Sequence, residues 1–139
     1  MAQAVAVLPR ERKVLERLTQ RFTHEKIEKG VAASVVSEIV DAEILSRGEV
    51  ARLIPPRTLA RRVNARERLR TEEADALGRL LRVTAQAERI FGDEDFAHKW
   101  LRLPVPSLRN RIPLELAQTD AGAREVETAL IRFGHGVFI

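Results

Sequence analysis

The sequence predicts an all-helical protein, and three observations carry that reading. Apolar residues recur at spacings of three and four along most of the chain, the period of a helix buried on one side. Helix-starting residues such as Pro9, Ser46, Pro56 and Asp93 stand before these stretches, and Gly30, Gly92 and Gly134 follow them. The tight hairpin dipeptides Asn-Gly and Asp-Gly are absent, so no pair of strands has its turn.

In chain order, Pro9 opens a first amphipathic helix to about Arg21, with Val14, Leu15, Leu18 and Phe22 on one face. A short helix around His24 to Lys29 ends at Gly30. Ser34 to Val40 is rich in β-branched residues and could be a strand. Helix is favoured, because one isolated strand cannot satisfy its own backbone. Ser46-Arg47-Gly48-Glu49 fits the capping box, in which the Ser hydroxyl and the Glu carboxylate each accept a backbone N–H. A helix with Val50, Leu53 and Ile54 on its apolar face follows and stops at Pro55-Pro56. The next helix, about Pro56 to Ala65, turns Leu59 and Val63 inward and leaves Arg57, Thr58, Arg61, Arg62 and Arg66 outside. Two short helices joined by a tight break, the second basic, describe a helix-turn-helix.

Thr71 is expected to cap a long helix whose stripe runs Leu77, Leu80, Leu81, Thr84, Ala87, Ile90 and Phe91. Asp93 restarts a short helix with Phe96, Trp100 and Leu101, and Leu103-Pro104-Val105-Pro106 reads as an extended link and a boundary. Pro113 starts another short helix. Thr119 or Asp120 caps the last one, with Val126, Ala129, Leu130 and Phe133 facing inward, and Gly134 closes it.

Composition narrows the function. The chain has 139 residues, 45% hydrophobic and 32% charged, enough for one domain or two small subdomains. Seven Gly and six Pro exclude collagen-like and low-complexity chains. The longest apolar stretches fall far short of the roughly 20 residues that cross a bilayer. The first residues lack the basic start of a signal peptide, so the expected location is cytoplasmic, with no membrane partner. No cysteine is present, which rules out disulfides, thiolate zinc sites and a thiol nucleophile.

Net charge is +4, but residues 47 to 70 carry eight arginines against Glu49 and Glu67. A positive field concentrated in one short window attracts phosphate. DNA contact through Arg57, Thr58, Arg61, Arg62 and Arg66 is therefore the first functional reading, and a solvated cationic face is its plain counterpart. Base composition alone also accounts for the preference for Arg over Lys. Catalytic chemistry has little support: His24, His98 and His135 are far apart, and no metalloprotease, P-loop, dinucleotide or serine-hydrolase motif occurs. We expect no enzyme, no catalytic residue, no metal and no cofactor. His98, beside Lys99 on an amphipathic helix, reads as a surface or boundary residue rather than a ligand. The apolar end Gly136 to Ile139 either docks on its own core or serves a partner.

Several segments in order carry a resemblance: Arg57-Thr58-Leu59-Ala60-Arg61-Arg62, Glu72-Glu73-Ala74-Asp75, Phe91-Gly92, Ala97-x-x-Trp100-Leu101, Pro113-Leu114-Glu115-Leu116, Thr119 to Val126, and Phe133-Gly134-His135-Gly136-Val137-Phe138. The chain resembles the Xre/MbcA/ParS antitoxins over about residues 30 to 139. It departs from their pattern at Ala76, where the family often has Arg, and at Arg109-Asn110, where a Gly pair is usual. No binding role is carried onto Ala76; Asn110 can supply the left-handed backbone of a Gly.

The resemblance implies an Xre-like helix-turn-helix (26–91) and a smaller toxin-binding domain (92–139), and residues 1–25, outside it, are expected to form an N-terminal helical arm. It implies a RES-domain toxin that uses NAD and resembles ADP-ribosyltransferases, held inactive by the antitoxin, which also represses its own operon. A homodimer within a larger toxin–antitoxin complex is expected because a single small helix-turn-helix rarely binds tightly without a second half-site. Toxin contact would fall on Trp100, Leu101, Arg132, Phe133, Gly134, His135, Gly136, Val137 and Phe138. It would either block the NAD cleft or hold a toxin loop out of place. The competing reading is a stand-alone helix-turn-helix regulator whose C-terminal helices dimerise.

Overall fold

The computed structural model describes residues 9–136, and among them every regular element is helical. The helices are α1 (Pro9–Thr19), α2 (His24–Lys29), α3 (Val35–Asp41), α4 (Arg47–Ala51), α5 (Pro56–Asn64), α6 (Thr71–Phe91), α7 (Glu94–Trp100), α8 (Pro113–Leu116) and α9 (Asp120–Gly134). Single 3₁₀ turns lie at Gln20–Phe22 and Pro106–Leu108. The β-branched stretch at 35–41 is a helix, as its lack of a strand partner required. Two compact units divide within α6, between Gly78 and Arg79, and within α1, where residues 9–12 group with the second unit.

The unit from Lys13 to Gly78 buries Leu15, Leu18, Phe22, Val35, Ile39, Val50 and Ile54. Its ends of helix are set by the side chains that the sequence marks. Thr23 caps α2 by accepting the Lys26 N–H, and Gly30 leaves that helix at φ 104. At α4 both bonds of the capping box form: Glu49 N–H to Ser46 Oγ at 3.1 Å, and Ser46 N–H to Glu49 Oε1 at 2.9 Å. Four residues ending in Pro55 separate α4 from α5, whose first residue is Pro56. After α5 the chain pairs briefly with the stretch following α2, Ala33 N–H to Glu67 O at 3.0 Å and Leu69 N–H to Val31 O at 2.8 Å. This is a bridge of backbone bonds too short to be a strand.

Two expectations shift in this unit. Leu59 and Val63 are not both turned fully inward: with Val36, Val40 and Val50 they line an open groove of about 400 Å³ between α3, α4 and α5. Thr71 is the first residue of α6 rather than its cap. There the Glu73 carboxylate reaches back to the Arg70 N–H at 2.8 Å.

The unit from Arg79 onward packs Leu80, Leu81, Val83, Thr84, Ala87, Leu101, Val126 and Leu130. Thr84 is wholly buried, and its hydroxyl donates to the Leu80 carbonyl at 2.8 Å, which removes the cost of hiding it. Gly92, at φ 67, ends α6, and Asp93 caps α7 by accepting the Phe96 N–H at 3.0 Å. The proline-rich stretch expected as a link is an internal turn of this unit. Val105 is buried and bridged to Arg111, with its N–H bonded to the Arg111 carbonyl at 3.1 Å. Arg109 and Asn110 both take positive φ, 57 and 58, the left-handed geometry expected at Asn110. Thr119 caps α9 through the Gly122 N–H at 3.0 Å. The backbone approaches so closely here that a Cβ at residue 122 would run into the Leu116 carbonyl.

Candidate functional site

The basic helix presents part of the surface that its sequence promises. Pro55 and Pro56 fix the entry to α5, and Arg57 stands exposed in its first turn, with Thr58 half-buried beside it. A recognition helix uses this position to reach base edges or phosphates. Arg61 is also exposed, with Nη1 at 3.3 Å from Glu67 Oε1 in an ion pair open to solvent. Arg66 lies just beyond the helix at φ 56, exposed.

Arg62 does not face outward. It is 6% exposed, and its Nη1 pairs with Glu73 Oε1. The reason is periodicity: residue 62, three after Leu59, falls on the side of α5 away from Val63 and the groove, so its long side chain runs under the helix to the start of α6. The outward basic set is thus Arg57, Arg61 and Arg66, with Thr58 half-buried beside them.

In the second unit, α7 and α9 bring aromatic side chains onto the end of α6. Phe91 meets Phe96 at 4.9 Å between ring centroids, Trp100 at 5.4 Å and Phe133 at 4.6 Å, in tilted or edge-to-face geometry. The cluster is open. Phe96 is 49% and Phe133 39% exposed, and Trp100 is half-buried. Phe133, expected to face inward, packs on Phe91 from the solvent side near the end of α9.

Leu101 is corrected as well: it is fully buried, and its carbonyl accepts the Leu114 N–H at 3.0 Å, so it belongs to the core and offers no contact surface. Arg132, Gly134, His135 and Gly136 are exposed. Val137 and Phe138 lie outside the described residues.

Polar groups that sequence spacing does not single out complete this unit. Glu88, on α6, is 6% exposed, and its Oε2 lies 2.7 Å from His98 Nε2 on α7. The signal for it is a carboxylate one turn after Thr84 in an otherwise apolar stripe. Arg79 Nη2 donates to the Gln118 carbonyl at 2.8 Å. Arg109 and Glu125 pair at 2.8 Å. Their hydrogen bond, chiefly, holds the Glu125 carboxyl below its ordinary range and raises the Arg109 guanidinium.

Comparison with known proteins divides the chain as the two units suggest. Residues 23–82 match the antitoxin Xre-like helix-turn-helix domain, and residues 86–136 match the antitoxin Xre/MbcA/ParS C-terminal toxin-binding domain. The chain is similar to the protein named Antitoxin Xre of Pseudomonas putida, 31% identical over 113 residues that span 81% of this chain and 71% of that one. It is similar also to Antitoxin Xre of Yersinia enterocolitica, 33% identical across 82% of this chain and 79% of the relative. A relative from Photorhabdus laumondii, again Antitoxin Xre, is 26% identical across 80% of this chain and 77% of its own length. No described helix is long and apolar enough to cross a membrane. With its helix-turn-helix domain followed by a toxin-binding domain, the chain belongs to the Xre antitoxin family.

Proposed function

We propose that this protein is the antitoxin of a RES-domain toxin, which it holds inactive by stoichiometric binding, and that it represses its own operon through α5. The observation that carries the reading is the open aromatic cluster on Phe91, which lies within the stretch matched to a toxin-binding domain. Aromatic side chains with one face packed and one face free make strong anchors, because they are already ordered and bring large apolar area to a partner. Phe96, Trp100 and Phe133 are the anchors. Arg132 and residues 134–138 are assigned to the NAD cleft of the toxin, where bulk excludes the substrate. No catalytic group is needed for this, and the protein acts as a binding partner rather than an enzyme.

The operator is contacted by Arg57, Thr58, Arg61 and Arg66. A single small helix-turn-helix covers one half-site, so repression calls for a homodimer within the toxin–antitoxin complex. Coexpression with the toxin, affinity capture and measurement of cellular NAD test the proposal. The two chains are expected to co-purify and NAD to stay at its uninduced level. Depletion of NAD in cells holding both chains would reject inhibition, and a stand-alone regulator would show neither capture nor protection.

A further inference from the structure

We propose that Glu88, Glu94 and His98 form a binding site for a borderline divalent cation of the zinc type, which joins α6 to α7 across the break at Gly92. One carboxylate comes from the last full turn of α6; the other two groups stand four residues apart on α7 and so share one face of that helix. Their candidate ligand atoms all lie within 4.8 Å of one another, and His98 Nε2 is already 2.7 Å from Glu88 Oε2.

Atoms bound about 2.0–2.2 Å from one zinc ion stand roughly 3–3.5 Å apart, so modest side-chain rotation closes the set. One imidazole nitrogen and two carboxylate oxygens suit zinc and its neighbours in the transition series. They do not suit magnesium or calcium, which prefer oxygen alone.

Burial is the second argument. Glu88 is 6% exposed, and a carboxylate in that position calls for a proton, a cation or a metal. His98 Nε2 meets it at 2.7 Å. A divalent ion supplies positive charge and binds through the lone pair of His98 Nε2, the ring proton then lying on Nδ1. Arg102 donates to the His98 carbonyl at 3.0 Å, so a cation here shares the end of α7 with a guanidinium. Three protein ligands leave positions for water, which distinguishes this site from a closed structural one.

The test uses the full chain, stripped with chelator and titrated with zinc chloride at about pH 7.5. Calorimetry is expected to find a single equivalent bound, and the thermal midpoint to rise by about 5–10 °C at a hundredfold excess over Kd. Glu94→Gln and His98→Gln should each weaken binding about tenfold or more. His24→Gln, which removes the exposed His24–Glu28 pair, should bind as the unaltered chain does. Should a variant fold poorly, the intact protein still decides: zinc must shift the His98 Nε2 nitrogen resonance. The proposal is overturned if no stoichiometric zinc binds, if both variants bind it undiminished, or if that resonance stays in place.

Discussion

Arg62 and Glu73 form an ion pair within one unit of the protein, the guanidinium side chain 8% exposed and the carboxylate 14%, tying the inner side of α5 to the first turn of α6. Glu73 also takes the Arg70 N–H, so one carboxylate both starts α6 and anchors the basic helix. A residue that reads as an outward cation of the basic helix is instead what ties that helix to α6.

Arg62→Ala should therefore act on stability. Removing one member of a buried pair leaves the other charge without compensation, at a cost of about 3–5 kcal/mol. Replacing both, as Arg62→Met with Glu73→Gln, should recover much of it. Urea denaturation of the single and double variants measures both, and a neutral Arg62→Ala would show that the pair carries little.

Arg57→Ala with Arg61→Ala should leave the melting curve close to that of the parent, since both side chains are exposed and the Arg61–Glu67 pair is open to water. Operator affinity should fall, and the slope of log K against log salt should flatten by about 0.9 for each phosphate no longer neutralised. An anisotropy titration with an unchanged slope would assign these arginines to a solvated face.

Most of the fold is legible because it is written in local signals. Ser46 and Glu49, Asp93, and Thr119 cap the helices that their spacing announces, and the apolar periods of α1, α6 and α9 mark the sides that are buried. Arg62 escapes such a reading because its charge suggests solvent while its position, three residues after Leu59 on the side of α5 that meets α6, is buried. Leu101 takes on a surface role only by association with its neighbour Trp100, although the same period makes it core. The Glu88–His98 contact joins two helices across a turn, and no local spacing encodes it.

Two glycines should respond to the same substitution with opposite signs. In α4, Gly48 has only Ser46 Oγ near the position a Cβ would take, at 3.9 Å, so Gly48→Ala should stabilise by about 0.5–1 kcal/mol through helix propensity and a less flexible unfolded chain. Gly122 sits in the first turn of α9 against the Leu116 carbonyl. Backbone cannot yield as a side-chain tip can, so Gly122→Ala should cost about 1–3 kcal/mol despite the better propensity. Thermal melts of the two variants shifting in the same direction would contradict this.

The Arg109–Glu125 pair gives a pH dependence with a defined sign. Glu125 has its pKa lowered in the folded protein, so its contribution to stability is present above the ordinary carboxylate range and fades as pH falls through the folded-state value. Arg109→Ala should return the Glu125 carboxyl toward that ordinary range, and NMR titration of its side-chain carbon reads the shift. A carboxyl that titrates identically in the variant would show that Arg109 does not set it.

Phe133 separates a binding role from a packing role. Its ring lies 4.6 Å from that of Phe91, edge to face, yet 39% of the residue remains exposed. Truncating it takes an apolar face out of solvent as well as a partner away from Phe91, so Phe133→Ala should lower the thermal midpoint only modestly. Leu101→Ala, by contrast, empties a fully buried site and should cost about 2–5 kcal/mol. If Phe133 anchors the toxin, its removal should raise Kd for the toxin roughly thirtyfold, the scale of an interface hot spot at about 2 kcal/mol. Calorimetric titration of toxin with the folded variant measures this. A variant that melts far below the parent while binding toxin equally well would make Phe133 a core residue, and would move the toxin-binding anchor to Phe96 and Trp100 on α7.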